Sequence, residues 1–173
     1  MSRRSDLPHV TAILRDAGLV DVSHFTDYHR DRGSALHQAT ALLDDGDLDP
    51  ESVDPAIEAR LRQYDRFRQE VAPTWAAIEE PVENATYRYC GTLDRRGTIG
   101  VKECIIDIKG PTVAAWQALQ VAAYAACFPR PMKRWTLHLS DDGYKLIEHA
   151  DRNDWKVFLA ALTVANWKES AGA

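Results

Sequence analysis

The chain of 173 residues contains no apolar run near the roughly 18 residues that a membrane-spanning helix needs, so a membrane partner is not expected. Cysteine is scarce. Cys90, Cys104 and Cys127 are odd in number and widely spaced, which fits neither a disulfide framework nor a zinc or iron–sulfur ligand pattern. An excess of positive charge is also missing: 21 Lys and Arg stand against 26 Asp and Glu, for a net charge of -5. That disfavours a dedicated nucleic-acid coat protein. It is compatible with an enzyme that handles nucleic acid through bound cations, because a cation inverts the local field. Arg3 and Arg4 are followed by no apolar stretch of signal-peptide type, so a cytoplasmic location is expected. Repeats and low-complexity tracts are absent too. What remains is 45% hydrophobic and 27% charged, the balance of a folded chain of one domain.

Apolar spacing and turn residues divide the chain. Pro8 opens a short helix that Gly18 closes. Residues 31–43 carry Ala35, Leu36, Ala39, Leu42 and Leu43 as one apolar stripe. An acidic loop follows, and Asp54-Pro55 caps a helix to about residue 72 through Ile57, Leu61, Tyr64, Phe67 and Val71. Residues 78–84, 86–94 and 101–109 read as three strands, with Arg95-Arg96-Gly97 and Gly100 as the reversal between the last two. An alanine-rich helix over 113–127, a strand pair around Asp141-Asp142-Gly143 and a final helix from Asp151 to about Trp167 complete the order. The expected fold is α/β, a central mixed sheet flanked by helices, with N-terminal helices over 8–77 and a core over 78–167.

The third strand carries the chemistry. Ile105, Asp107 and Lys109 point to one face, and Cys104, Ile106 and Ile108 to the other. Both faces are apolar, as in an interior strand, so a carboxylate and an ammonium there need partners. Either they pair with each other, as in any surface ion pair at a strand end, or they bind a ligand. Asp94 ends the preceding strand and can approach Asp107 from its neighbour. Two carboxylates close together call for a proton or a cation between them, and a hard divalent cation with oxygen ligands is a natural one.

Gly91-Thr92-Leu93-Asp94 followed by Ile106-Asp107-Ile108-Lys109-Gly110 resembles the PD-(D/E)XK nuclease superfamily. Arg32-Gly33-Ser34-Ala35-Leu36-His37 and Gln120-Val121-Ala122-Ala123-Tyr124 are similar to its RecB-type and phage exonuclease-like branch, as are Val10 to Leu14 and Glu80-Pro81-Val82. The resemblance implies a single restriction-endonuclease-like domain with an αβββαβ core. It implies Asp94, Asp107 and the backbone carbonyl of Ile108 as ligands of Mg2+ or Mn2+, His37 as a further metal ligand, and Lys109 as the catalytic lysine. Gln120 and Tyr124 would line the active site. Glu79 and Glu80 face opposite sides of a strand, so at most one points inward, and Glu80 is the one expected to join the acidic cluster through a water. No iron–sulfur cluster is expected from three cysteines.

The implied activity is metal-dependent hydrolysis of DNA phosphodiesters, by an exonuclease of phage or bacterial recombination and repair. DNA is the implied partner, and processivity in so short a chain would need a homo-oligomer or a recombination partner protein. The alternatives are a non-catalytic DNA-binding or recombination-accessory module on the same fold, and an endonuclease of restriction or junction-resolving type. Arg95, Arg96, Lys102, Arg130, Lys133 and Arg134 flank the site in sequence and are either phosphate contacts or solvated surface. Trp75, Trp116 and Trp135 read as core first and as stacking platforms second. His24, His29, His138 and His149 receive no role.

Overall fold

The computed structural model describes residues 7–20 and 27–172, with side chains over 7–20 and 31–172, so His24 and the side chain of His29 lie outside it. The elements run α1 (Val10–Asp16), α2 (Asp27–Asp45), α3 (Pro55–Val71), β1 (Thr74–Asn84), β2 (Tyr89–Ile99), β3 (Lys102–Lys109), α4 (Trp116–Ala125), β4 (Lys133–Leu139), β5 (Tyr144–Glu148) and α5 (Asn153–Ala171). The five strands form one mixed sheet in the order β1-β2-β3-β4-β5. Only the β3–β4 pair is parallel. A parallel pair needs a crossover, and α4 supplies it.

The sheet is covered on both faces. Val82, Tyr89, Leu93 and Ile105 pack under α1, α4 and α5. Cys104, Ile106, Ile108, Trp135, Leu137 and Leu139 pack under α2 and α3 with Leu36, Ile57, Leu61 and Phe67. The expected alternation along β3 therefore holds. Among the described residues, no helix is long and apolar enough to cross a membrane.

Local chemistry sets the ends. Asp54 caps α3 by accepting the Ala56 N–H at 2.8 Å, and Pro55 follows it as expected. The acidic loop holds a short 3-10 turn, Pro50–Ser52, capped by Asp49. α4 starts at Trp116, later than its apolar spacing suggests, because the Gln117 side chain accepts the Ala114 N–H and donates to the Thr112 carbonyl. That holds the segment before α4 out of the helix.

The largest departure concerns Arg95-Arg96-Gly97. These residues do not reverse the chain: β2 runs through them, and the turn is confined to Gly100, at φ +59°, and Val101. Gly97 is required for a different reason. At the irregularity between Trp75 and Ala77, β1 passes so close that a Cβ on Gly97 would lie 2.0 Å from the Thr74 carbonyl oxygen. β1 also starts before residue 78, so its outer half pairs with this part of β2. β1 carries Pro81 opposite Thr92.

Gly97→Ala should cost about 2–3 kcal/mol, since backbone must move to admit the methyl group. Gly33, inside α2 with nothing near its absent Cβ, is the counterpart, and Gly33→Ala should gain about 0.5–1 kcal/mol. Urea unfolding of both variants reads the opposite signs directly.

Candidate active site

Alternation along β2 breaks at Asp94-Arg95. Leu93 packs under α1 and α4, and Arg96 lies over the Phe128 ring, 5.2 Å from its centroid, on the same face. A regular strand would put residues 93 and 96 on opposite faces. Arg95 turns instead to the α2 and α3 side, against Asp44, Tyr64 and Thr40. Across from the break, on β1, Glu79 has a left-handed φ of +50°.

The same point is where β2 and β3 part. Their ladder ends at the Arg95–Ile106 pair, and the Ile108 N–H goes to Asp94 Oδ2 at 2.6 Å. The N–H and C=O of one residue leave an extended strand on the same edge, so the Ile108 carbonyl also faces the gap. His37, on α2, reaches in from the helix layer. Its Nδ1 lies 3.3 Å from Asp94 Oδ1 and 4.0 Å from Glu79 Oε1. One donor atom each from His37, Glu79 and Asp94 lies within 4.8 Å of the others.

Asp107 and Lys109 stand beside this trio. Asp107 is buried, and its Oδ2 lies 2.5 Å from Lys109 Nζ. Lys109 Nζ also sits 5.2 Å from the centre of the Trp116 ring, which makes Trp116 a wall of the site. From α4, Gln120 donates to the Tyr124 hydroxyl at 3.1 Å, and both are buried. Gly91 makes room for Tyr124, since a Cβ there would meet its ring at 2.6 Å.

Charge and burial act against each other throughout. Burial disfavours the His37 imidazolium, but the Asp94 carboxylate beside it and the nearby Asp107 raise its pKa to about 9. Burial also acts against ionised Asp94, yet His37, Lys109 and the Ile108 N–H hold its pKa below the usual carboxylate value. Asp107 goes the other way: burial, reinforced by Asp94 and offset in part by Lys109, raises it to about 6. Glu79 is raised by burial and by Asp94. Tyr124 is raised by burial and by the charge of Asp107.

Of Asp94, Asp107, Lys109 and His37, which the sequence placed at one centre, the structure brings His37 and Asp94 together with Glu79, while Asp107 pairs with Lys109 outside that group. Glu80 does not join them. It makes a two-point ion pair with Arg96 at 2.6 and 2.8 Å, and Glu79 takes the inward position. The left-handed conformation that turns Glu79 inward leaves no mark in the sequence. The flanking basic residues are largely committed elsewhere: Arg95 is fully buried, Arg96 holds Glu80, Lys133 pairs with Glu148, and Arg134 binds Asp154 and the Asp151 carbonyl. Other cations border the site. Arg60 and Arg32 share Asp141 Oδ1 at 3.0 and 3.3 Å, and Arg60 Nη1 would lie 3.9 Å from a Cβ on Gly110, the residue after Lys109. A surface groove of about 670 Å3 between α2 and α3, lined by Leu43, Leu48, Val53 and Leu61 among others, contains none of these groups.

The donors suit a hard divalent cation. They are carboxylate oxygens with one imidazole nitrogen. Asp107 Oδ2 is buried, with the Lys109 ammonium as its close partner, and could exchange that contact for a bound cation.

No protein-family model matches the chain, and no curated protein matches it. Among solved structures it is similar to the one described as "Crystal structure of SSO0001". The TM-score is 0.50 and the identity 12%, over 96% of this chain and 78% of that one. The likeness is one of fold.

The folded protein holds protons on Asp107 and His37 that the unfolded chain has released. The stability that these two groups contribute is therefore lost as pH rises. The Asp107 share is lost between pH 3.8 and about 6, and the His37 share between pH 6.5 and about 9. In chelator, the melting temperature should drop from pH 6.5 to 9, and His37→Gln should flatten that window.

Proposed function

We propose that the protein is a metal-dependent deoxyribonuclease with a restriction-endonuclease-like core, acting as an exonuclease on DNA ends. The observation that carries this reading is the gap between β2 and β3. There His37, Glu79 and Asp94 converge, with Asp107 and Lys109 at its border. The order of α3, three antiparallel strands, the α4 crossover and a parallel β4 is in keeping with an αβββαβ core.

His37, Glu79 and Asp94 would hold Mg2+ or Mn2+, with Asp107 and the Ile108 carbonyl completing the set. The bound ion would lower the pKa of a water and polarise the scissile phosphate. The remaining work falls to the chain. Lys109, held by Asp107 and shielded by Trp116, offers N–H donors to charge developing on the phosphate, where water is partly excluded. Gln120 keeps the Tyr124 hydroxyl at the wall of the site, where it can orient the attacking water or the strand. Arg60, near Gly110, and Arg32, which shares Asp141 with it, would have to exchange that carboxylate for a phosphate to contact the backbone of a bound strand.

Purified protein should degrade linear DNA with Mg2+ or Mn2+ and stop in chelator. Lys109→Ala and Asp107→Ala should each lower turnover by about 10²- to 10⁴-fold while melting near wild type. Full activity in Asp107→Ala would sink the proposal. Covalently closed circular DNA should survive; its cleavage would assign an endonuclease instead.

A further inference from the structure

Arg95 leads the fully buried side chains in size among the described residues. A guanidinium without solvent must place its N–H groups on protein acceptors, because each one left over carries a large desolvation cost. Nε donates to Asp44 Oδ2 at 2.6 Å and to the Tyr64 hydroxyl at 3.2 Å. Nη2 donates to Thr40 Oγ1 at 3.0 Å. Nη1 donates to the Asp94 carbonyl at 2.7 Å and to Glu79 Oε1 at 3.2 Å. The Thr40 hydroxyl in turn donates to the His37 carbonyl at 2.8 Å.

The fork thus has two sides. One is anchored in the helix layer. There the Asp44 side chain is fully buried and is also held by Arg68 Nε at 2.9 Å and by the Tyr64 hydroxyl at 2.5 Å. The other side reaches each member of the metal-binding trio: Glu79 through its carboxylate, Asp94 through its backbone, and His37 through Thr40. Glu79 needs such a hold. Its left-handed backbone is disfavoured for a residue with a Cβ, and its side chain is 39% exposed; the Arg95 guanidinium at 3.2 Å is the nearer of the two cationic groups on its carboxylate, with His37 at 4.0 Å. Asp44 supplies a carboxylate partner for Arg95 on the helix side.

We propose that Arg95 is the positioning residue of this centre, fixing Glu79, Asp94 and, through Thr40, His37 for a divalent cation. The inference rests on the metal-centre reading above. A lysine in place of Arg95 keeps the charge but loses the planar fork, and no single ammonium reaches all of these acceptors.

The experiment is Mn2+ binding to the full chain by titration calorimetry, with the Mn2+-induced rise in melting temperature as a second readout. Arg95→Lys should bind Mn2+ about 10- to 100-fold more weakly than wild type. Thr40→Val, which touches no ligand side chain, should weaken binding by about threefold or more, and it serves if Arg95→Lys does not fold. Ile57→Val, a core truncation in the same helix layer, should lower the melting temperature and leave Mn2+ affinity unchanged. Wild-type affinity in Arg95→Lys overturns the inference. If Arg95→Lys does not fold, wild-type affinity in Thr40→Val overturns it, as does an equal loss in Ile57→Val. A wild-type protein that binds no Mn2+ removes the metal centre itself, and the inference with it.

Discussion

The Asp94 carboxylate takes the Ile108 N–H that an uninterrupted ladder would have delivered to a β2 carbonyl. This exchange opens the sheet at its centre while giving the buried Ile108 N–H a partner, which is the condition for such an opening in an interior strand. A charged acceptor is well suited to the substitution, since hydrogen bonds to ionised groups are the stronger kind. One Asp94 oxygen is thereby spent on the backbone, and the other is left to face His37. The break in alternation at Asp94-Arg95 and the turned backbone of Glu79 belong to the same distortion. Together they let two consecutive β2 residues serve the site, one through its carboxylate and one through its guanidinium.

Electrostatics then divides the carboxylates into different roles. Asp94 stays ionised because an imidazole, an ammonium and a peptide N–H surround it. Asp107, equally enclosed but with Lys109 as its main counterweight, is the carboxyl that burial pushes upward. Groups driven apart in this way are a mark of functional clusters, although structural ion pairs also produce it. Here the ion pairs are distinguishable. Asp44–Arg95 is sealed between the helices and the sheet, whereas Asp107–Lys109 lies at a strand end under an aromatic ring.

Much of this was legible in the residues. The alternation of Cys104 to Lys109 showed that β3 is covered on both sides, and the spacing of Asp94 from Asp107 showed that a carboxylate pair was within reach. The helices announced themselves through Asp54-Pro55 and the stripes of Ile57 and Leu61. The failures share a cause: they depend on backbone events that composition does not encode. Arg95-Arg96-Gly97 has the makeup of a turn, yet its glycine serves the close approach of Thr74 and its first arginine fills the core. Glu79 and Glu80 are chemically identical, and only a left-handed φ decides which one turns inward. Likewise, a basic residue near the site in sequence is no guide to a free cation once Glu80, Glu148 and Asp154 have claimed their partners.

Pro81 sits in β1, the outermost strand on one side, and the opposite border is the five-residue β5. A proline within an outer strand deprives that border of a donor, and a short strand offers little length for a neighbour to follow. The sheet is thus poorly suited to growth by annexing a strand from another molecule.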